Sequence, residues 1–162
     1  LLPGYVQFGQ LGEKLSCKAI EIVNAFNKSG ITTSKADSLD EALWRKLCWN
    51  IPFNGLSISG GGITTDLILN NSVLRNRAQL LMREIQQAAH GYGIIIDDQF
   101  LEKQFSLTEP MGKYKPSSLI DYLAQKPVEV EAIWGEPLRK GILKRVNMPE
   151  LKKLYEELLV LA

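Results

Sequence analysis

One histidine and two cysteines in 162 residues leave this chain little material for metal binding or for a histidine-driven nucleophile. The spacing of Cys17 and Cys48 suggests neither a disulfide framework nor a zinc site, and both read as small buried hydrophobes in a reducing compartment. His90 falls at a predicted helix end, where a cation favours the dipole, and no second histidine or acid stands at metal-ligand spacing. No metal site is assigned. A Ser-His-acid triad would have to use His90, yet no Gly-x-Ser-x-Gly elbow surrounds any serine, and a cysteine nucleophile lacks the same partner.

Charge of one sign is also missing. A net charge of +1 gives no broad field for nucleic acid or an anionic membrane, so neither is expected as a partner. Apolar runs are interrupted by Lys, Asn, Gly or Asp well short of the roughly 18 residues that span a bilayer, and no basic segment followed by an apolar one opens the chain. A soluble cytoplasmic protein is the default. Gly60-Gly-Gly62 follows no strand and precedes no Lys-Ser or Lys-Thr pair, so it is not a phosphate loop, and no Gly-x-Gly-x-x-Gly occurs anywhere.

What is present is mostly helical texture. The opening Leu1-Leu-Pro-Gly lacks a methionine and runs into Tyr5–Gly12, whose glycines and aromatics suit short strands and a turn. A strand that short needs a sheet beside it, so this end reads as cut from something larger. Leu15–Asn27 has helical apolar spacing with a left-handed stop at Ser29-Gly30, and Ile31–Ser34 is β-branched and extended. Ser38-Leu-Asp-Glu41 is a capping box that starts a helix in which Pro52 predicts a kink. Further helical pieces are predicted over 63–69, 73–89, 97–105, 117–125, 128–144 with a break near Gly135-Glu-Pro137, and 149–161, the last introduced by a Val146–Leu151 hydrophobic staple. The 45% hydrophobic content supplies one well-buried core. The sum is an all-α domain over 37–162 with a small α/β remnant over 1–36.

Within that frame, Lys46, Asn50 and Asn54 recur every four residues in Trp44-Arg-Lys-Leu-Cys-Trp-Asn-Ile-Pro-Phe-Asn54, a stretch otherwise rich in apolar residues. On a helix they line one drifting stripe. An amide buried without a partner costs about 1–3 kcal/mol, so the stripe calls for an internal network or a ligand.

The pattern Trp44-x-Lys46-x-x-x-Asn50-x-x-x-Asn54, then Lys115-Pro-Ser117-Ser-Leu-Ile-Asp121, then Glu129-x-Glu131-x-x-x-Gly135, resembles the carboxyl-terminal domain of ketopantoate reductases (2-dehydropantoate 2-reductases) over nearly the whole chain. The resemblance implies a fold like the 6-phosphogluconate dehydrogenase C-terminal domain. It makes the first 36 residues the tail of a Rossmann-type domain, with its Gly-Glu step at Gly12-Glu13. It also implies reduction of a 2-oxo acid, ketopantoate, by NADPH that is bound mainly by an amino-terminal domain of the same full-length protein. Lys46 becomes the general acid and is expected to be partly buried. Glu129 becomes a second catalytic and cofactor-facing residue, with Asn50, Asn54 and Ser117 on the substrate. This chain alone is then expected to be inactive. Some relatives place a third asparagine where this chain has Thr64 and Thr65.

Other readings stay open on the residues alone. Lys46 beside Arg45 is an ordinary solvated cation, Asn50 and Asn54 serve carbonyls freed by Pro52 or a neighbouring helix, and Ser117 and Ser118 are N-caps. Glu129 and Glu131 diverge by about 200° on a helix, so only one faces a site; on the residues alone both are ordinary surface acids, and it is the resemblance that selects Glu129 and leaves Glu131 as the structural partner. The rival functions are a dehydrogenase of another 2-oxo or 3-hydroxy acid, and a helical assembly module for dimerisation, as a homodimer, or for docking, using the helix from Val73 and the tail Leu158–Ala162.

Overall fold

The computed structural model describes residues 5–10, 14–36 and 38–162, so the Leu1–Gly4 opening and the Gly12–Glu13 step lie outside the described residues. The chain divides into two compact units, Leu1–Arg45 and Lys46–Ala162.

In the first unit, β1 (Val6–Phe8) and β2 (Thr33–Lys35) pair in parallel, with Val6 opposite Thr33 and Phe8 opposite Lys35. Parallel strands need a crossover, and α1 (Cys17–Lys28) supplies it. Phe26 of α1 meets Phe8 of β1 edge to face at 5.3 Å between ring centres, which fixes the helix on the strand pair. Ser16 caps α1, and Gly30 takes the left-handed φ of +80° that the stop signal demands. Cys17 is exposed here; opening a surface helix, it fills no core, whereas Cys48 is fully buried.

α2 (Leu39–Ser59) starts from half of the predicted capping box. The Ser38 hydroxyl accepts the Glu41 amide at 3.0 Å, but the Glu41 carboxylate turns forward to Arg45 at 2.8 Å and makes no return bond. The helix continues without interruption through Pro52. A proline inside a helix costs roughly 3 kcal/mol, and what offsets it is burial: every residue from Ile51 to Ile58 is buried, with Ile51, Phe53, Leu56 and Ile58 fully so.

The other helices of this unit are α3 (Thr65–Asn70), α4 (Ser72–His90), α5 (Asp98–Thr108), α6 (Ser117–Leu123), α7 (Glu136–Leu143) and α8 (Pro149–Leu161). Phe53 meets Phe105 of α5 at 6.1 Å, and the Trp49 indole donates to the Thr108 hydroxyl at 2.8 Å. Gly55 allows the closest approach. A Cβ there would lie 2.6 Å from Leu154 of α8 and 2.8 Å from the Trp134 indole nitrogen.

The predicted break near Gly135-Glu-Pro137 is a widening instead. Glu131–Gly135 forms one π-helical turn leading directly into α7, and the Glu136 amide reaches back five residues to the Glu131 carbonyl. Pro137 has no N–H and its ring crowds the carbonyl four residues earlier; the extra residue per turn relieves that clash. α8 also begins differently from the staple prediction. Met148 is the cap residue with no side-chain cap bond, and the Glu150 and Leu151 amides go to the carboxylate of Glu84 on α4, at 2.9 and 2.8 Å. Leu158 of the tail is fully buried, while Leu159, Val160 and Leu161 are exposed. No helix among the described residues is long and apolar enough to cross a membrane.

Gly55→Ala should destabilise the protein by about 2 kcal/mol, read from urea unfolding. Overpacking two fully buried side chains outweighs a helix-propensity gain of about 1 kcal/mol. Glu84 generates a pH test. Burial pushes its carboxyl above the ordinary 4.5, against the pull of the two amides. Its contribution to stability is therefore full below about pH 4.5 and lost as pH rises through the folded value. Urea midpoints above that pH should fall less steeply in Glu84→Gln than in the parent.

Candidate active site

Lys46, Asn50 and Asn54 share a face of α2, and burial deepens along it: Lys46 is exposed, Asn50 half-buried, and Asn54 is 1% exposed. The stripe covers about 12 Å of helix rise and runs from solvent into the core. Lys46 does not have the partial burial expected of it; it lies on the amphipathic first half of α2, before the fully buried stretch begins.

Asn54 is engaged at one end only. Its Oδ1 accepts the Ser118 amide at 2.9 Å, 64 positions away. Its Nδ2 has no acceptor among the described residues, and neither the Asn50 carboxamide nor the Lys46 ammonium has a partner there. One turn on, the Ser57 hydroxyl is fully buried and also unpartnered. Sequence reasoning missed Ser57, although its place three residues after Asn54 on the same helix was the available signal.

The Asn54 bond also corrects the capping assignment at α6. Pro116 is the cap residue and Ser117 the first helical residue, with no side-chain cap bond. The Ser118 amide that a local serine would have taken is satisfied by Asn54. Ser117 is thereby left exposed beside that junction with its hydroxyl uncommitted. A second long-range bond, from the Trp134 indole to the Ile51 carbonyl at 3.0 Å, holds the π-helical turn on the same part of α2.

Glu129 lies just ahead of that turn, exposed, with no side-chain bond to Lys46 or to any other described residue. Glu131 is different. Its carboxylate accepts the Tyr155 hydroxyl and the Arg139 guanidinium at 2.8 Å, and those two donors hold it below the ordinary carboxylate value. It braces the π-helical turn against α8. Thr65 is structural as well: buried, its hydroxyl donates to the Gly112 carbonyl at 3.0 Å, while the Thr64 hydroxyl bonds Asp66. The structure thus joins Asn54 to the start of α6 and aligns Lys46 and Asn50 with it, and Glu129 is tied to none of them. A cavity of about 540 Å³ elsewhere in the unit takes in none of these five residues. Among the described residues no group of His, Cys, Asp and Glu is arranged to hold a metal ion.

A cation, two carboxamides and a hydroxyl, all with donors to spare, suit an oxygen-rich anion. Residues 38–162 match the family described as Ketopantoate reductase PanE/ApbA C terminal. A 2-dehydropantoate 2-reductase from a Nostoc species is 36% identical over 138 residues, which are 85% of this chain and 43% of that protein. The crystal structure of 2-dehydropantoate 2-reductase from Methylococcus capsulatus superposes with a TM-score of 0.90 at 32% identity, covering 96% of this chain and 49% of that one. Its counterpart from Geobacter metallireducens gives 0.91 at 31%, covering 96% and 52%. The chain spans about half the length of these relatives. With the family match running from the start of α2 through α8, this chain belongs to the ketopantoate reductase family.

Proposed function

We propose that this chain forms the substrate-holding part of an NADPH-dependent reductase that converts 2-dehydropantoate to pantoate. The observation that carries the reading is the stripe of unpaired donors from exposed Lys46 to buried Asn54, closed at its inner end by the Ser118 bond. A 2-oxo acid presents a carboxylate, a carbonyl and, in this substrate, a hydroxyl, each of which accepts hydrogen bonds. Asn50, the Asn54 Nδ2 and Ser117 would hold those oxygens and fix which carbonyl face is presented.

As the carbonyl carbon is reduced, negative charge grows on its oxygen and a proton must arrive there. The Lys46 ammonium meets both needs: it stabilises the charge and then donates from Nζ, leaving a neutral amine that solvent reprotonates. Its exposure gives it that solvent route. Glu129, acid and unpaired, would orient the ammonium or the substrate hydroxyl, and would lie on the cofactor's side of the reaction. NADPH, when bound, supplies the hydride. The donor set here fits the reacting end of that chemistry. No Gly-x-Gly-x-x-Gly turn for the nucleotide phosphates is present, so that hold falls to an amino-terminal domain of a longer protein.

Lys46→Ala, in a protein that carries the nucleotide-binding domain, should lower kcat by about 10²- to 10⁴-fold in an NADPH-oxidation assay with 2-dehydropantoate. Its unfolding free energy, read from urea titration, should stay within about 0.5 kcal/mol of the parent, as for an exposed unpaired residue. Retained turnover would remove the general-acid assignment. The 162-residue chain by itself should show negligible turnover in the same assay. Asn54→Asp keeps an acceptor for the Ser118 amide but loses the Nδ2 donor, so KM for the oxo acid should rise about tenfold or more, whereas Asn54→Leu should also cost about 1–3 kcal/mol of stability.

A further inference from the structure

The second unit holds an open cavity of about 540 Å³ between the end of α4, the loop after it and the turn from α7 to α8. Gln87 and His90 line it from the helix, Ile95 and Ile96 from the loop, Arg145 and Asn147 from the turn. No carboxylate is among the lining residues. Among the described residues, the side chains of Arg145, Gln87, His90 and Asn147 have no hydrogen-bond or ion-pair partner.

Arg145 is there at a cost. α7 ends in a turn in which the Val146 amide bonds the Gly141 carbonyl and the Arg145 amide bonds the Ile142 carbonyl, at 3.0 and 2.9 Å, and this places Arg145 at a φ of +58°. Glycine is the residue such a position favours, and a long cationic side chain held there against backbone preference points to a use for that side chain. The walls are fixed. Gln86 donates to the Ile96 carbonyl at 2.9 Å and to Asp98 at 2.8 Å, pinning the loop to α4, while Glu84 pins the start of α8.

We propose that this cavity is a binding site for a small organic monocarboxylate, separate from the Lys46 stripe. The carboxylate meets the Arg145 guanidinium fork and the Gln87 and Asn147 carboxamides, and a short hydrocarbon body lies against Ile95, Ile96 and Val146. One permanent cation matches one negative charge. A phosphate would bring more charge than the lining answers and would leave the apolar wall unused.

The test is a titration of the ¹⁵N-labelled full chain with 3-methylbutanoate, followed by amide shifts. Shifts at Gln87, His90, Ile96 and Arg145–Asn147 should saturate in roughly the millimolar range, the affinity open to so small a ligand. Arg145→Gly removes the cation while relaxing the positive φ, so it should unfold at the same or a higher urea concentration yet bind about tenfold or more weakly. The uncharged 3-methylbutanamide and inorganic phosphate should not saturate in that range. The proposal is overturned by undiminished binding to Arg145→Gly, by equal binding of the amide or of phosphate, or by shifts confined to Lys46–Asn54.

Discussion

The burial of Ile51–Ile58 on all sides is the constraint from which the rest of the second unit follows. Water cannot serve a polar atom there, so each one must be met by a chosen partner or remain exposed to whatever enters. The Ile51 carbonyl is met by Trp134 and the Asn54 oxygen by the Ser118 amide. Gly55, lacking a side chain, lets Trp134 and Leu154 come close enough to close the packing. These contacts fasten the π-helical turn, α6 and α8 to one helix. The atoms left over, the Asn54 amide nitrogen and the Ser57 hydroxyl, are the ones a ligand or a trapped water can use.

Structural and chemical duties are divided between neighbouring residues of like type. Glu131 is spent on Arg139 and Tyr155, and Glu129, two positions earlier, is left free. Thr65 is spent on Gly112, while Ser117 keeps its hydroxyl. Even Asn54 is split, with its oxygen given to the fold and its nitrogen withheld. The scaffold is thereby fixed while the Asn54 nitrogen, the Ser117 hydroxyl and the Glu129 carboxylate stay uncommitted.

Much of this was legible in the sequence because it is local. Helical spacing, the Ser38 hydroxyl cap, the glycine at position 30 and the Pro149 start all depend on residues within one or two turns. The stripe was legible for the same reason, since a period of four is visible on any helix. The features that escaped are those set by distant partners. Ser117 and Ser118 looked like caps because nothing in their neighbourhood announces Asn54, and the start of α8 looked like a staple because Glu84 lies 66 positions upstream. The exposure of Lys46 and of Cys17 escaped likewise, since each depends on which face of a helix the rest of the chain covers.

The Glu84 bond to α8 has a bearing on how the molecule is made. A helix whose opening amides are satisfied only by a carboxylate on another helix has no strong start of its own, and thirteen residues is near the length at which an isolated helix is marginal in water. α8 is therefore ordered by docking on α4 rather than before it. Since α8 also carries Leu154 against Gly55 and Tyr155 against Glu131, its docking is the step that locks the packing around the middle of α2 and the π-helical turn into place.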